Sequence, residues 1–305
     1  MPSPLRHSIY FFVLSSLFLG TLKNEINYWQ TSTPFLSILC LFLILTIGIS
    51  HGALDNLKGY KLLEKYKITN NIIFYLGYLF TSSAFVFLWL TFASFTLLFF
   101  LIVAIYHFGK EDLIYLTKPN FFKFLLLGSP IILAPLSFHF EETLNIFKVL
   151  YVENQNFINT LYFLEEKNIF KILLIIFLII GWYFSGRENV RQFSLEKVGI
   201  VILNFTCHPL VAFTIYFCFL HSIRHSFKLS NELNRNDFKK GFKDFLNKAL
   251  PLTLVTAVLF IVCLVFLTNY YILNEAILKV IFIGLASLTF PHILLEYLIE
   301  KNEQK

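Results

Sequence analysis

Histidine and acidic residues recur four positions apart in this chain. The four pairs are His51 with Asp55, His107 with Glu111, His221 with His225, and His292 with Glu296. Residues at positions i and i+4 lie on the same face of an α-helix, so the two side chains of each pair can act together. Two imidazoles at this spacing can hold one divalent metal ion, and neutral imidazole suits iron, zinc, copper or nickel. The pattern therefore predicts a metal centre.

The clearest metal signal is the pair His221 and His225, which follows the apolar stretch Leu210–Leu220. A single histidine in a membrane helix more often makes a hydrogen bond between helices than binds a metal ion. We place His7 and His139 in that class. For a histidine pair one helical turn apart, metal binding is the better interpretation.

His51 and His107 are ambiguous when taken singly, and each has a glycine close after it in the chain. Glycine beside a polar group predicts a close approach of two helices or a helix end. Together with His221 and His225, these residues predict a four-histidine metal centre. His208 precedes a proline at the opposite membrane face, and we expect it to cap or pack a helix.

Carboxylates near the histidines predict hydrogen bonds that hold the metal-binding rings in place. A carboxylate can accept the N–H of a histidine on its own helix or on a neighbouring one, and this bond fixes the tautomer and aims the ring. The candidates are Asp55, Glu111 and Glu296. The role of His292 stays open among ligation, tunnel lining and helix stabilisation. We predict no catalytic side chain beyond the metal ligands, because the sequence has no nucleophile elbow and no glycine-rich phosphate loop.

The elements that position these residues are membrane helices. Hydrophobic residues make up 57% of the chain and charged residues 14%, whereas a soluble domain is about one quarter charged. The apolar runs are long enough to cross the hydrocarbon layer of a bilayer, which is about 30 Å thick. Helices satisfy their own backbone hydrogen bonds in lipid, and the alternation of a membrane β-barrel is absent. We predict an all-α, polytopic membrane helical bundle in a single domain, residues 1–305.

We predict about ten membrane segments. They cover residues 8–22, 35–50, 72–90, 92–108, 121–140, 169–185, 193–206, 208–226, 250–268 and 276–299. The first resembles the apolar core of a signal peptide, but no small-residue cleavage site follows, so we interpret it as a membrane segment. Segment 193–206 is short for a full crossing. The four cysteines lie in apolar runs without CxxC spacing, which is typical of small buried residues.

The distribution of positive charge predicts the topology. Ten segments place most of the 25 lysines and arginines on one side. Cytoplasmic loops carry such an excess, so both termini are predicted to be cytoplasmic in a multi-pass protein of the plasma or inner membrane. Five histidines then lie toward the cytoplasmic ends of segments. The net charge of +6 reflects this topology and contact with anionic lipid, and no nucleic-acid-binding module is present.

Four motifs in order resemble the Brp/Blh family, the bacteriorhodopsin-related membrane proteins that act as β-carotene 15,15′-dioxygenases. The motifs are His51-Gly-Ala-Leu-Asp55, Tyr106-His-Phe-Gly-x-Glu-Asp112, Tyr216-Phe-Cys-x-x-His-Ser-x-Arg-His225 and Pro291-His-x-x-Leu-Glu296. The resemblance spans about residues 48 to 296, which is nearly the whole chain. The combination of the four is specific, whereas one motif alone is moderate support.

The resemblance implies an enzyme that cleaves β-carotene at its central double bond with O2 and releases two molecules of retinal. It implies ferrous iron, Fe(2+), with His51, His107, His221 and His225 as ligands. The substrate resides in the lipid bilayer, so an intramembrane tunnel needs no aqueous transfer. Aromatic candidates to guide the polyene are Tyr106, Phe108, Tyr216, Phe217 and Phe290. The family context also suggests a functional link to a rhodopsin that uses the retinal.

Two other hypotheses remain open. The first is a membrane di-iron oxygenase that resembles desaturases and hydroxylases, with Asp55, Glu111 and Glu296 as direct ligands. The HxxxH and HxxHH boxes of desaturases are not reproduced as a set, which counts against it. The second is a transporter or rhodopsin-assembly partner whose buried histidines relay protons.

Overall fold

The computed structural model describes residues 3–21, 34–112 and 120–303. These ranges contain helices and no β-strand, so the predicted all-α class is confirmed. The α-helices are α1 (Pro4–Thr21), α2 (Phe35–Leu43), α3 (Asp55–Lys65), α4 (Ile72–Thr91), α5 (Ala93–Asp112), α6 (Phe121–Phe138), α7 (Phe140–Val149), α8 (Gln155–Glu166), α9 (Ile169–Thr206), α10 (Pro209–Ile215), α11 (Ile223–Leu233), α12 (Phe238–Leu267) and α13 (Leu273–Glu303). Two π-helical segments, Ile44–Gly48 and Tyr216–Ser222, and one 3₁₀ segment, Ile49–Leu54, connect consecutive α-helices.

Eight helical stretches within the described ranges are long and apolar enough to cross a membrane. They are Phe35–Lys65, Ile72–Thr91, Ala93–Glu111, Phe121–Phe138, Ile169–Arg187, Pro209–Leu233, Phe238–Leu267 and Leu273–Asn302. Each of them overlaps one predicted segment. Predicted segment 8–22 corresponds to a shorter apolar helix, and segment 193–206 is the second half of α9. The count of ten and the cytoplasmic termini stay predictions.

Two helix boundaries lie where the sequence predicts them. Helix α4 ends at Thr91, and α10 begins at Pro209, where the His208 side chain accepts a hydrogen bond from the Leu210 N–H at 3.3 Å. His208 is therefore a helix cap, as predicted. The basic stretch 228–248 forms the end of α11 and the start of α12, which Asp237 caps.

Helices α5 and α6 approach each other closely through two glycines. A Cβ atom on Gly109 would overlap the carbonyl oxygen of Phe124, and one on Gly128 would overlap that of Ile105. Only residues without side chains allow two helix backbones to come this near. The expected close approach at Gly109 is thus confirmed, and it fixes the position of the helix that carries His107.

The two π-helical segments pack against each other beside the histidines. The Ser222 hydroxyl donates to the Gly48 carbonyl oxygen at 3.1 Å, and this bond joins the two segments. A wider π turn also changes the partners of its carbonyl groups, and His7 Nε2 lies 2.7 Å from the carbonyl oxygen of Phe219. The interhelical hydrogen bond expected of His7 is confirmed. Single π turns are frequent at functional sites, and here one carries His221.

Candidate metal centre

Four histidines from three separate parts of the chain converge in the interior. The ring centroids of His107 and His221 are 5.3 Å apart, those of His107 and His292 are 5.4 Å apart, and those of His225 and His292 are 5.9 Å apart. All four side chains are buried. Three of them are among the four predicted metal ligands, and the fourth is His292, whose role the sequence left open.

A buried ion pair anchors the helix that carries two of these histidines. Arg224 lies between His221 and His225 in the chain, and its Nη2 is 2.7 Å from Oε1 of Glu196 on α9. The same carboxylate oxygen accepts a hydrogen bond from the Ser8 hydroxyl of α1 at 2.6 Å. Burying charges is costly unless they are paired and hydrogen-bonded, so these contacts strongly favour one position of α11.

Asp55 holds His292 from a neighbouring helix. His292 Nδ1 lies 2.8 Å from both carboxylate oxygens of Asp55, and Tyr78 donates its hydroxyl hydrogen to Oδ2 of Asp55 at 3.1 Å. When Nδ1–H donates to the carboxylate, Nε2 of the neutral ring is the acceptor nitrogen. The tautomer that can bind a metal through Nε2 is therefore favoured.

Glu111 makes the equivalent contact with His225. Its Oε2 atom lies 3.1 Å from His225 Nδ1 and 3.1 Å from Lys228 Nζ. Asp55 and Glu111 thus each contact a histidine on another helix. Periodicity predicts the acidic residues, but the choice of partner depends on how the helices pack.

Glu296 lies close enough to His107 and His292 to bind a metal ion together with them. One ligand atom each from His107, His292 and Glu296 can be chosen so that all lie within 4.8 Å of one another. Glu296 also pairs with Lys58, whose Nζ is 3.0 Å away. Imidazole nitrogens beside a carboxylate oxygen in a buried site suit a divalent transition metal, so these residues fit a metal ion.

The side chain of His51 lies outside the part of the chain that the structure describes. Its backbone belongs to the 3₁₀ segment Ile49–Leu54, which leads directly into Asp55 at the start of α3. The segment thus ends beside a residue that contacts His292. The ligand role of His51 stays a prediction.

Aromatic rings cover one side of the histidine cluster. Phe217 stacks on His221 with ring centroids 5.7 Å apart, Phe108 meets the same ring at 5.0 Å, and Tyr216 lies at 6.4 Å. These residues were predicted to line a tunnel, and they contact the cluster.

Tyr106, also predicted to line the tunnel, points elsewhere. Its ring packs against Phe121 at 5.2 Å and Phe124 at 5.8 Å, in the contact between α5 and α6. Successive helical residues are rotated by about 100°, so the neighbour of an inward-facing His107 faces another helix. Phe290 packs against Phe85, with ring centroids 5.0 Å apart.

Comparison with known proteins agrees with the four motifs. A sequence model of the β-carotene 15,15′-dioxygenase family matches residues 42–300. The chain belongs to this family. A curated β-carotene 15,15′-dioxygenase from an uncultured marine bacterium, 66A03, is 31% identical over 266 residues, which cover 84% of this chain and 90% of that protein. No solved structure matches the chain significantly.

The match to the β-carotene 15,15′-dioxygenase family includes every residue of the histidine cluster. The matched range begins before His51 and ends after Glu296. The resemblance predicted from the motifs is therefore confirmed, and a dioxygenase family is one in which a metal cofactor is expected. The identity of the metal and the ligands belong to the proposal below.

Two apolar cavities flank the cluster in this member of the dioxygenase family. The central cavity, about 110 Å³, is lined by Phe108, Tyr216 and Phe217 among other residues. The lateral cavity, about 860 Å³, is lined by Asp55 and His292 among others. The two cavities share the lining residues Phe217, Leu285 and Thr289.

The motifs do not single out Tyr78 and Lys58, which contact Asp55 and Glu296. Lys58 lies one helical turn after Asp55, and this spacing is the signal that could have found it.

Proposed function

We propose that this protein cleaves β-carotene at its central double bond with O2 and yields two molecules of retinal. The observation that carries the proposal is the convergence of His107, His221, His225 and His292 beside two apolar cavities. Membership of the β-carotene 15,15′-dioxygenase family supports the same reaction. An apolar cavity next to buried imidazoles is suited to a hydrocarbon substrate and a metal.

We propose Fe(2+) as the metal. His107, His221 and His225 would hold it together with His51, and the positions of His292 and Glu296 make them additional candidates. Bound ferrous iron supplies the redox chemistry by which O2 reacts with a conjugated double bond. Neutral imidazole ligands suit this ion and leave its positive charge largely uncompensated.

The side chains around the cluster have separate tasks in this proposal. Asp55 and Glu111 orient the rings of His292 and His225 through their Nδ1 atoms. Phe108 and Phe217 exclude water from the reacting region and present ring faces to the polyene. Aromatic faces attract positive charge, so these rings stabilise positive charge that develops on the polyene during its oxidation.

We further propose that the protein resides in the plasma or inner membrane and receives carotene from the bilayer. The candidate membrane spans fit a lipid environment, and carotene dissolves in hydrocarbon. Retinal made in the membrane can pass to a rhodopsin in the same cell, which is the proposed functional link.

The di-iron alternative has less support in the contacts. It requires Asp55 and Glu111 to bind metal directly, whereas both carboxylates contact a histidine Nδ1 atom. Metal analysis separates the two: we expect one iron per chain, and two irons per chain would favour the di-iron alternative.

Expression in bacteria that accumulate β-carotene tests the activity. We expect the orange colour to fade and retinal to appear. His221→Ala and His225→Ala should abolish bleaching while the protein remains in the membrane fraction. Unchanged carotene with abundant membrane-inserted protein would overturn the proposed activity and favour the transporter or assembly-partner hypothesis.

A further inference from the structure

The lateral cavity is a long cleft between two helices. Helix α4 forms one wall, α12 forms the other, and α13 forms the back. Both α4 and α12 pack against α13. Each wall belongs to a candidate membrane span, so the cleft lies at the depth of the bilayer.

The mouth of the lateral cavity faces sideways. Several lining residues are also exposed on the outer surface of the protein, including Leu79 and Leu90 on α4 and Val255, Leu259 and Cys263 on α12. A residue that lines a cavity and is exposed on the exterior marks an opening. These residues are apolar and lie within candidate spans, so the opening meets hydrocarbon and not water.

The two ends of the cavity differ in chemistry. One end reaches Asp55 and His292 of the histidine cluster, and the other reaches Tyr151 and Lys279. Lys279 Nζ lies 3.5 Å from the centroid of the Tyr151 ring and donates to the carbonyl oxygen of Val149, which closes this end. His292 and Lys279 both lie on α13, and the helical rise of 1.5 Å per residue separates them by about 20 Å.

We propose that the lateral cavity is the entry portal and binding site for one half of the carotenoid, which slides from the bilayer between α4 and α12. This inference rests on the proposed function. The cavity leads to His292, so an extended hydrocarbon that occupies it brings its inner end to the metal centre. At about 860 Å³ the lateral cavity has room for such a chain, whereas the central cavity has about 110 Å³.

A matched pair of tryptophan variants on α12 tests the portal. Leu259 lines the lateral cavity and is 53% exposed, and Ile261 is 49% exposed but points away from it. Leu259→Trp should raise the KM for β-carotene several-fold with a smaller change in kcat, because the indole obstructs entry. Ile261→Trp should leave both constants near those of the parent. Equal kinetics in the two iron-loaded variants would overturn the proposal.

Cys263 provides a binding measurement that does not depend on turnover. It is exposed and lines the cavity, whereas Cys40, Cys207 and Cys218 are buried. In a variant with the three buried cysteines replaced by alanine, β-carotene should slow the reaction of Cys263 with a lipid-soluble maleimide several-fold. A labelling rate that β-carotene leaves unchanged, or that phospholipid lowers equally, would contradict the proposal.

The two measurements also separate this inference from the proposed function. Protection of Cys263 by β-carotene without any retinal formation would support the binding site and refute the cleavage activity. Retinal formation without protection, and with equal kinetics of the tryptophan variants, would support the activity and refute the portal.

Discussion

His292 Nδ1 lies 2.8 Å from both carboxylate oxygens of Asp55, and this contact joins α13 to α3 beside the histidine cluster. Both side chains are buried. A histidine that donates Nδ1–H to a carboxylate has a fixed ring orientation and a more basic Nε2 atom. Asp55 is therefore expected to support metal binding through His292 without touching the metal itself.

Asp55→Asn should lower iron affinity by about 10- to 100-fold, the usual cost of removing a carboxylate that supports a ligand histidine. The measurement is iron per chain after dialysis against a weak chelator, together with retinal formation. Asp237→Asn is the control, because it changes the same residue type at the exposed cap of α12. A full iron content in Asp55→Asn would refute this role.

Glu111 and Lys228 should differ in importance although their side chains are 3.1 Å apart. The Glu111 side chain is 7% exposed and also contacts His225, whereas that of Lys228 is 36% exposed. Glu111→Gln should reduce iron affinity by about 10- to 100-fold. Lys228→Met should change it by less than about fivefold, because the Lys228 side chain is about one third exposed and solvent screens the charge of its ammonium group. Similar losses in both variants would contradict this assignment.

His292→Ala should remove bound iron as completely as His221→Ala. The His292 ring is as close to His107 as His221 is, at 5.4 Å against 5.3 Å. His139→Ala is the control, since this partly exposed histidine neighbours Glu142 at 3.6 Å instead of the cluster. Iron per chain and the thermal unfolding midpoint should be measured together. A His292→Ala protein that keeps its iron would exclude His292 as a metal ligand.

Gly109→Ala should destabilise the protein by at least about 2 kcal/mol, because the new methyl group meets the backbone of α6 and overpacking is costly. Gly77→Ala is the matched control on α4, where a Cβ atom has open space. Thermal unfolding in detergent gives the comparison. Equal unfolding midpoints for the two variants would contradict the close approach of α5 and α6.

The sequence predicts the residue types of the site better than their partners. The spacing of four identifies His107, His221 and His225, and the apolar runs identify the helices that carry them. The contact of Asp55 with His292 joins residues that are far apart in the chain, so helical periodicity cannot reveal it. Family motifs likewise do not show that Tyr106 packs against α6, because that depends on the rotation of α5.

The π-helical segments and the lateral cavity are also beyond reach of the sequence alone. A π turn at Tyr216–Ser222 reflects packing against Ile44–Gly48, and neither stretch carries a local signal for it. The cavity depends on the gap between α4 and α12. Such gaps arise from the tilt of helices, which hydropathy does not specify.

The most direct test of the central claim is the product balance of the purified, iron-loaded protein with β-carotene in detergent. We expect two molecules of retinal for each β-carotene consumed in the presence of O2, and none when O2 is removed. Consumption of β-carotene without retinal, or no consumption by a folded protein that contains iron, would contradict central cleavage at this histidine centre.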